Sequence, residues 1–308
     1  MTGPLRAAAS VALAAGAGAA VWGIGIERHL FTLRRATLPV LPAGSPDLKV
    51  LHLSDLHMAP WQRQKQRWVR ALADLEPDLV VDTGDNLGHE IGLLGLKAAL
   101  EPFRGVPGVH VWGSNDYWAP QRKNPFQYLS GPSSGGVREP NRLDIAALEA
   151  YLDSLGWTSL NNRTARLVVK GVPIDLLGTD DPHRGYDDIP ALTPGLRGLR
   201  ARRVKAALTV GVTHAPYRRV LAAFVERGAD LMLAGHTHGG QVCVPGYGAV
   251  VTNCDIPREQ VKGVSTWTHG GRTASLEVSA GLGTSIYAPV RFACRPEATL
   301  LTLTDAPA

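Results

Sequence analysis

Five short apolar runs in this chain each end in a residue able to bind a metal ion, and this recurrence constrains the fold more than any other feature. Lys49–Ser54 (KVLHLS) runs into Asp55-Leu56-His57, and Asp78–Thr83 (DLVVDT) into Gly84-Asp85-Asn86. Val109–Trp112 (VHVW) runs into Gly113-Ser114-Asn115-Asp116, and Leu208–Thr213 (LTVGVT) into His214-Ala215-Pro216. Asp230–Ala234 (DLMLA) runs into Gly235-His236-Thr237-His238-Gly239-Gly240. Short, continuous apolar runs of this kind mark strands buried on both faces. Helical patterns at Trp61–Leu75 and Tyr217–Arg227 separate the first two runs and the last two. Strand–helix–strand alternation predicts parallel strands joined by right-handed crossovers. Ligands of such sheets gather beyond the carboxyl ends of the strands, so the five clusters are expected to converge. Gly84, Gly113 and Gly235 fit sharp turns there. His236 and His238, two apart, are expected to address one site from an extended loop.

The charge balance excludes several classes. Lys plus Arg is 32 against 27 Asp plus Glu, a net charge of +5, with no long basic run. No nucleic-acid partner is expected, because such proteins concentrate basic charge in a patch. Cys243, Cys254 and Cys294 are the only cysteines and none forms a CxxC pair. They read as packed thiols rather than a disulfide scaffold. The chain has neither GxxxxGK[ST] nor GxGxxG, so phosphate is not held by a nucleotide loop.

Ala7–Ile26 carries no charge. A helix of this length, about 30 Å, spans a hydrocarbon core. A retained anchor is favoured over a cleaved secretion signal, and membrane association through this one segment is expected. Arg28, Arg34 and Arg35 follow it, against Arg6 before it, which leans toward a cytoplasmic catalytic domain. Residues 1–6 form a short lead, 7–26 the anchor or signal, 27–46 a Pro-containing tether, and 47–308 a single domain. Ser130–Asn141 (SGPSSGGVREPN) reads as a surface loop or lid.

Asp55, His57, Asp85, Asn115, His214, His236 and His238 make a nitrogen–oxygen donor set of borderline hardness. It suits Mn, Fe, Zn or Co rather than Ca or a thiolate site. Seven donors exceed the needs of one ion, and two ions sharing a carboxylate use them well. Such a pair lowers the pKa of a bridging water and stabilises both oxygens of an in-line displacement. The expected chemistry is phosphoester hydrolysis, with hydroxide attacking phosphorus and no Ser or Cys nucleophile.

Asp55-x-His57, Gly84-Asp85, the Gly113 block, His214 and Gly235-His236-Thr237-His238 together resemble the calcineurin-like metallophosphoesterases. Gly239-Gly240-Gln241, Gly281-Leu282-Gly283-Thr284-Ser285 and Cys294-Arg295-Pro296-Glu297 resemble a bacterial branch that often carries an amino-terminal membrane or export segment. The resemblance implies an α/β fold of two facing β-sheets flanked by helices, a four-layer αββα sandwich. It implies that Asp55, His57 and His238 hold a first ion, that Asp85 bridges, and that Asn115, His214 and His236 complete a second. Gly113-Ser114-Asn115-Asp116 departs from the usual Gly-Asn-His-Asp/Glu. Ungapped, Ser114 takes the asparagine position, and a local shift that lets Asn115 bind the second ion is favoured. The histidine that usually contacts phosphate and protonates the leaving group has no counterpart in this block, so acid help is expected from elsewhere, such as His183 in Asp180-Asp181-Pro182-His183, or from water.

A phosphodiesterase is therefore expected. The alternatives are a phosphomonoesterase or nucleotidase on the same site, or a membrane-tethered metal-binding protein with a decayed site. A lipid or envelope-derived phosphoester fits the membrane location. His52 and His110, inside apolar runs, read as core, and His269 as a turn. His89 is a candidate for the mouth of the site. Tyr117 and Trp118 are candidates for an apolar wall, and Arg122 and Lys123 read as a solvated loop.

Overall fold

A computed structural model describes residues 3–121 and 141–306. Arg122, Lys123 and all of the Ser130–Asn141 stretch except Asn141 lie outside them. Among the described residues, twelve strands form two six-stranded sheets. One sheet has the order β1 (Thr32–Leu41), β14 (Glu297–Asp305), β2 (Leu48–Leu53), β3 (Leu79–Asp82), β4 (Gly108–His110), β5 (Trp157–Ser159). The other has the order β12 (Gly263–His269), β13 (Arg272–Val278), β9 (Leu231–Ala234), β8 (Leu208–Val212), β7 (Val172–Gly178), β6 (Arg163–Val169). A small hairpin, β10 (Cys243–Val244) with β11 (Gly248–Ala249), follows the last ligand loop. Strands β2 to β5 are mutually parallel, as are β7, β8, β9 and β13.

The continuous apolar runs follow from burial on both faces. Along β2, Leu48 and Val50 enter the core between the sheets, while Leu51 and Leu53 enter the core under the helices. Along β9, Leu231 and Leu233 face the partner sheet, and Met232 and Ala234 face outward. Helices α2 (Arg63–Ala71), α3 (Gly92–Leu100) and α5 (Ile145–Leu155) cover the first sheet through Val69, Leu96, Leu148 and Leu152. Helices α6 (Leu192–Arg200) and α7 (Arg218–Glu226) cover the second through Leu192, Leu221 and Phe224. The layers are helix, sheet, sheet and helix, as expected.

The expected tether over 27–46 is corrected. Thr32–Leu41 is an edge strand paired in parallel with β14, and Leu38 and Leu41 are buried between the sheets. Pro39 lies in this strand, and an edge is where a sheet tolerates a residue without an N–H. Ahead of it, α1 (Gly3–Ala20) continues through wider and tighter helical turns to His29. Ala9–His29 is apolar enough to cross a membrane, with a mean hydropathy of 1.7. Helix α4 (Ser114–Tyr117) is a single turn at the third ligand block.

Candidate metal centre

All seven expected ligand residues meet at the carboxyl edge of the two sheets. His57 Nε2 lies 3.3 Å from His238 Nε2 and 3.4 Å from Asp85 Oδ2. His214 Nε2 lies 3.6 Å from Asp85 Oδ1 and 3.2 Å from His236 Nδ1. His238 Nε2 is 3.5 Å from Asp55 Oδ1. Asp85 thus offers one oxygen to each half of the cluster. Ligand atoms of Asp55, His57 and His238 lie within 4.8 Å of one another, and so do those of Asp55, Asp85 and His214.

The loops carrying these residues are stitched together by backbone hydrogen bonds. Asp55 N donates to Gly84 O at 2.8 Å, His57 N to Asp85 O at 2.9 Å and Gly235 N to His214 O at 2.9 Å. Asp55, His57, Asp85, His236 and His238 all have positive φ, between 39° and 67°. Left-handed backbone in non-glycine residues costs on the order of 1 kcal/mol each or more and clusters at functional sites. Of the three glycines, only Gly84 takes a left-handed turn, at φ 88°. At Gly113 and Gly235 the requirement is space. A Cβ on Gly113 would sit 2.7 Å from His214 Cε1, and one on Gly235 would sit 2.6 Å from Asp55 Oδ2. His236 and His238 reach the cluster from this left-handed backbone rather than from the extended loop expected.

In the third block, Asn115 rather than Ser114 stands beside Asp85. Asn115 N and Nδ2 donate to Asp85 Oδ1 and Oδ2 at 2.8 and 2.7 Å. Ser114 Oγ donates to Asp181 Oδ2 at 2.6 Å. His183 stands at the rim, its ring centroid 4.6 Å from that of His236 and its Nδ1 3.0 Å from Tyr217 Oη.

The electrostatics favour bound cations. His214 Nδ1 lies 2.7 Å from Thr83 O, and His236 Nε2 lies 3.1 Å from Asn253 O. These carbonyls fix the tautomers, so the inward nitrogens of both neutral rings present lone pairs to each other. Such an arrangement needs a cation or a proton between them. Burial lowers the pKa of His214, but Asp85, Asp55, Asp181 and the Thr83 carbonyl outweigh it and raise it to about 9. Burial opposes ionisation of Asp85, yet the imidazoles of His214 and His57 and the bonds from Asn115 hold it below the usual carboxylate range. His57 is pushed down to about 4, chiefly by burial. Asp55 Oδ1 is buried without a hydrogen-bond partner, which leaves it available to a metal.

The order of residues, the sheet edge they share and this geometry agree with a match to the calcineurin-like phosphoesterase family model over residues 48–240. The chain belongs to this family. The uncharacterized metallophosphoesterase YkuE of Bacillus subtilis is 25% identical over 308 residues, covering 95% of this chain and 93% of the relative. Phosphodiesterase YaeI of Escherichia coli is 27% identical, covering 90% of each chain. A bovine transmembrane protein with metallophosphoesterase domain is 25% identical over 87% of this chain and 55% of its own length. A metallophosphoesterase hydrolyses phosphoesters, and the family and the side-chain groups together point to a site for two divalent ions.

Residues outside the expected set hold this metallophosphoesterase site in place. Asp116, fully buried, accepts from Gly113 N at 2.9 Å and from Asp85 N and Asn86 N at 2.8 Å. Lys65 Nζ donates to Leu56 O and His57 O at 2.5 and 3.2 Å. Arg291, also fully buried, donates from Nη1 to His238 O at 2.9 Å. Asp116 is the last residue of the quoted third block, but nothing in the sequence marked Lys65 or Arg291. His52 bridges the sheets through a buried pair with Glu277 and a 2.9 Å contact to Thr83 Oγ1. His110 is buried, and burial lowers its pKa to about 3. His269 closes the β12–β13 hairpin and pairs with Glu226. His89 stacks edge-on against exposed Trp61. Tyr117 Oη donates to Asp180 at 2.7–2.8 Å, so its hydroxyl end is polar rather than part of an apolar wall. All three cysteines are free and buried.

Proposed function

We propose that the protein is a membrane-anchored, dinuclear metal-dependent phosphodiesterase. Asp55, His57 and His238 would hold one ion, Asn115, His214 and His236 the other, with Asp85 shared. The ions, when bound, supply Lewis acidity and an activated water. The observation that carries the diester preference is that the third block sets Asn115 against Asp85 and contains no histidine. A monoester carries close to two negative charges at neutral pH, like any phosphate with a second pKa near 6, and a diester carries one. Lack of a protonatable ring in this block therefore disfavours the monoester more. YaeI, named a phosphodiesterase, supports the same reading.

His183 is the proposed proton donor to the leaving oxygen. Tyr217 Oη at 3.0 Å from Nδ1 supports a tautomer with the proton on Nε2, and a positioned donor contributes about 10²–10⁴-fold. The apolar Ala9–His29 helix and the transmembrane bovine relative support anchoring, and Arg28, Arg34 and Arg35 favour the cytoplasmic face. A lipid or envelope-derived ester is the proposed substrate class.

The test is kcat/KM of the full-length, metal-loaded protein on bis-p-nitrophenyl phosphate and on p-nitrophenyl phosphate. A higher value for the diester is expected, and a higher value for the monoester overturns the preference.

A further inference from the structure

The amino-terminal helix joins the domain at the metal edge, not at the opposite edge. In the sheet register, Thr32 pairs with Glu297 and Thr299 pairs with His52. The antiparallel run of β14 against β2 then sets Thr32 level with Ser54, one residue before Asp55. Only Leu30 and Phe31 separate the last helical turn, Glu27–His29, from β1, so the connection has little slack. Glu27 pins that turn. Its buried carboxylate accepts from Ala293 N, Cys294 N and Trp22 Nε1 at 3.0, 2.7 and 2.6 Å. Gly23 O accepts from Arg291 N at 3.1 Å. The same Arg291 holds His238.

Beside this junction lies a cleft of about 480 Å³, lined by Trp22, Glu27, Arg34, Lys262, Phe292 and Arg295 among others. Its three cations come from three separate segments. Glu27 is held by the donors just named, and Glu297 is held by Arg34 Nε at 2.9 Å. Trp22 and Phe292 give the cleft the mixture of aromatic surface and positive charge found where a protein meets lipid headgroups.

We infer that this cleft binds the phosphate of an anionic phospholipid in the bilayer crossed by the helix. The bound headgroup holds the metal edge against the membrane surface. The inference rests on the anchoring proposed above, and it identifies the lipid by charge and by location. The basic side chains would meet phosphate, and the aromatic ones the glycerol and upper acyl region.

The test measures binding of fluorescent phosphatidylglycerol to detergent-solubilised full-length protein. The probes for comparison are fluorescent phosphatidylcholine and inorganic phosphate as a competitor. Lys262→Gln and Arg295→Gln are each expected to weaken phosphatidylglycerol about fivefold, the worth of one cation near an anionic surface. The pair is expected to lose roughly the product of the two. Neither variant touches the metal cluster, so hydrolysis of bis-p-nitrophenyl phosphate should be unchanged. Unaltered phosphatidylglycerol affinity in the double variant overturns the inference, as does equally tight binding of phosphatidylcholine. Displacement of the lipid by an equal concentration of inorganic phosphate overturns it too, because the cleft would then be a site for free anions. Lipid binding that persists while wild-type protein leaves the diester untouched refutes the proposed activity and leaves the cleft standing. A chain that fractionates as soluble refutes the anchor itself.

Discussion

Replacing Asp116 tests whether the geometry of the cluster is imposed by the loops behind it. The side chain is fully buried and accepts three backbone N–H groups, those of Gly113, Asp85 and Asn86. Asp116→Ala removes both carboxylate oxygens, and with them three hydrogen bonds, and leaves the donors buried. An unsatisfied buried donor costs about 1–3 kcal/mol. Water admitted to the small void recovers part of this, so a loss of about 3–5 kcal/mol is expected. For a domain of this size, about 2–4 °C of melting temperature corresponds to each kcal/mol, which makes the drop roughly 10 °C. The functional effect should exceed the stability effect at working temperature. Asp85 and Asn115 lose their common support, and a ligand displaced by about 1 Å costs on the order of 10²-fold in rate. Asp116→Asn keeps one acceptor oxygen but sets an NH₂ against a backbone donor, so it should fall between alanine and wild type. The assays are thermal unfolding with and without divalent metal, and steady-state hydrolysis of bis-p-nitrophenyl phosphate. An alanine variant that melts within about 2 °C of wild type, less than one such bond is worth, and turns over normally would refute the claim that Asp116 positions the site.

Other perturbations probe the ions themselves. Asp85→Asn should abolish metal-dependent hydrolysis, since Asp85 faces both His57 and His214; chelator-insensitive turnover in this variant would sink the mechanism. Asn115→Ala should lower the metal content of purified protein from two ions toward one, while Ser114→Ala keeps both. The reverse result, read by elemental analysis, would make Ser114 the ligand. The pKa of His214 is raised from 6.5 to about 9 without metal: burial opposes this, and the facing carboxylates prevail. A metal ligand must be neutral imidazole, so affinity should climb about tenfold per pH unit from pH 7 toward 9 as one proton is displaced. The same group stabilises the ion-free fold fully below pH 6.5, and that contribution fades as pH rises through 9. Metal titration calorimetry across that range decides the point, and a flat affinity refutes it.

The clustered residues were legible because they follow strands, and strand ends are visible in apolar patterning. Asp55, Asp85, His214 and His236 lie two or three residues beyond the ends of β2, β3, β8 and β9. The edge strand β1 was missed because prolines within a polar, partly alternating stretch look like a tether until β14, more than 250 residues later, supplies a partner. Lys65, Asp116 and Arg291 escaped for the same reason. Each acts by donating to or accepting from backbone of a distant loop, and no local pattern encodes that contact. In the third block Asn115, and not Ser114, meets Asp85, and its place as a ligand stays a proposal. The partner that accounts for Ser114, Asp181, is far along the chain.

Without ions the cluster opposes itself. The inward nitrogens of His214 and His236 face each other as lone pairs at 3.2 Å, and five of the residues sit in left-handed backbone. Neither feature is self-stabilising, so both must be imposed from outside the cluster. The side chains of Asp116, Lys65 and Arg291 grip the backbone of the ligand loops. Gly113 and Gly235 leave room for ligand atoms that any larger residue would displace. A metal relieves this repulsion, as does a proton on His214. The fold therefore imposes on these side chains a geometry that the cluster does not stabilise by itself.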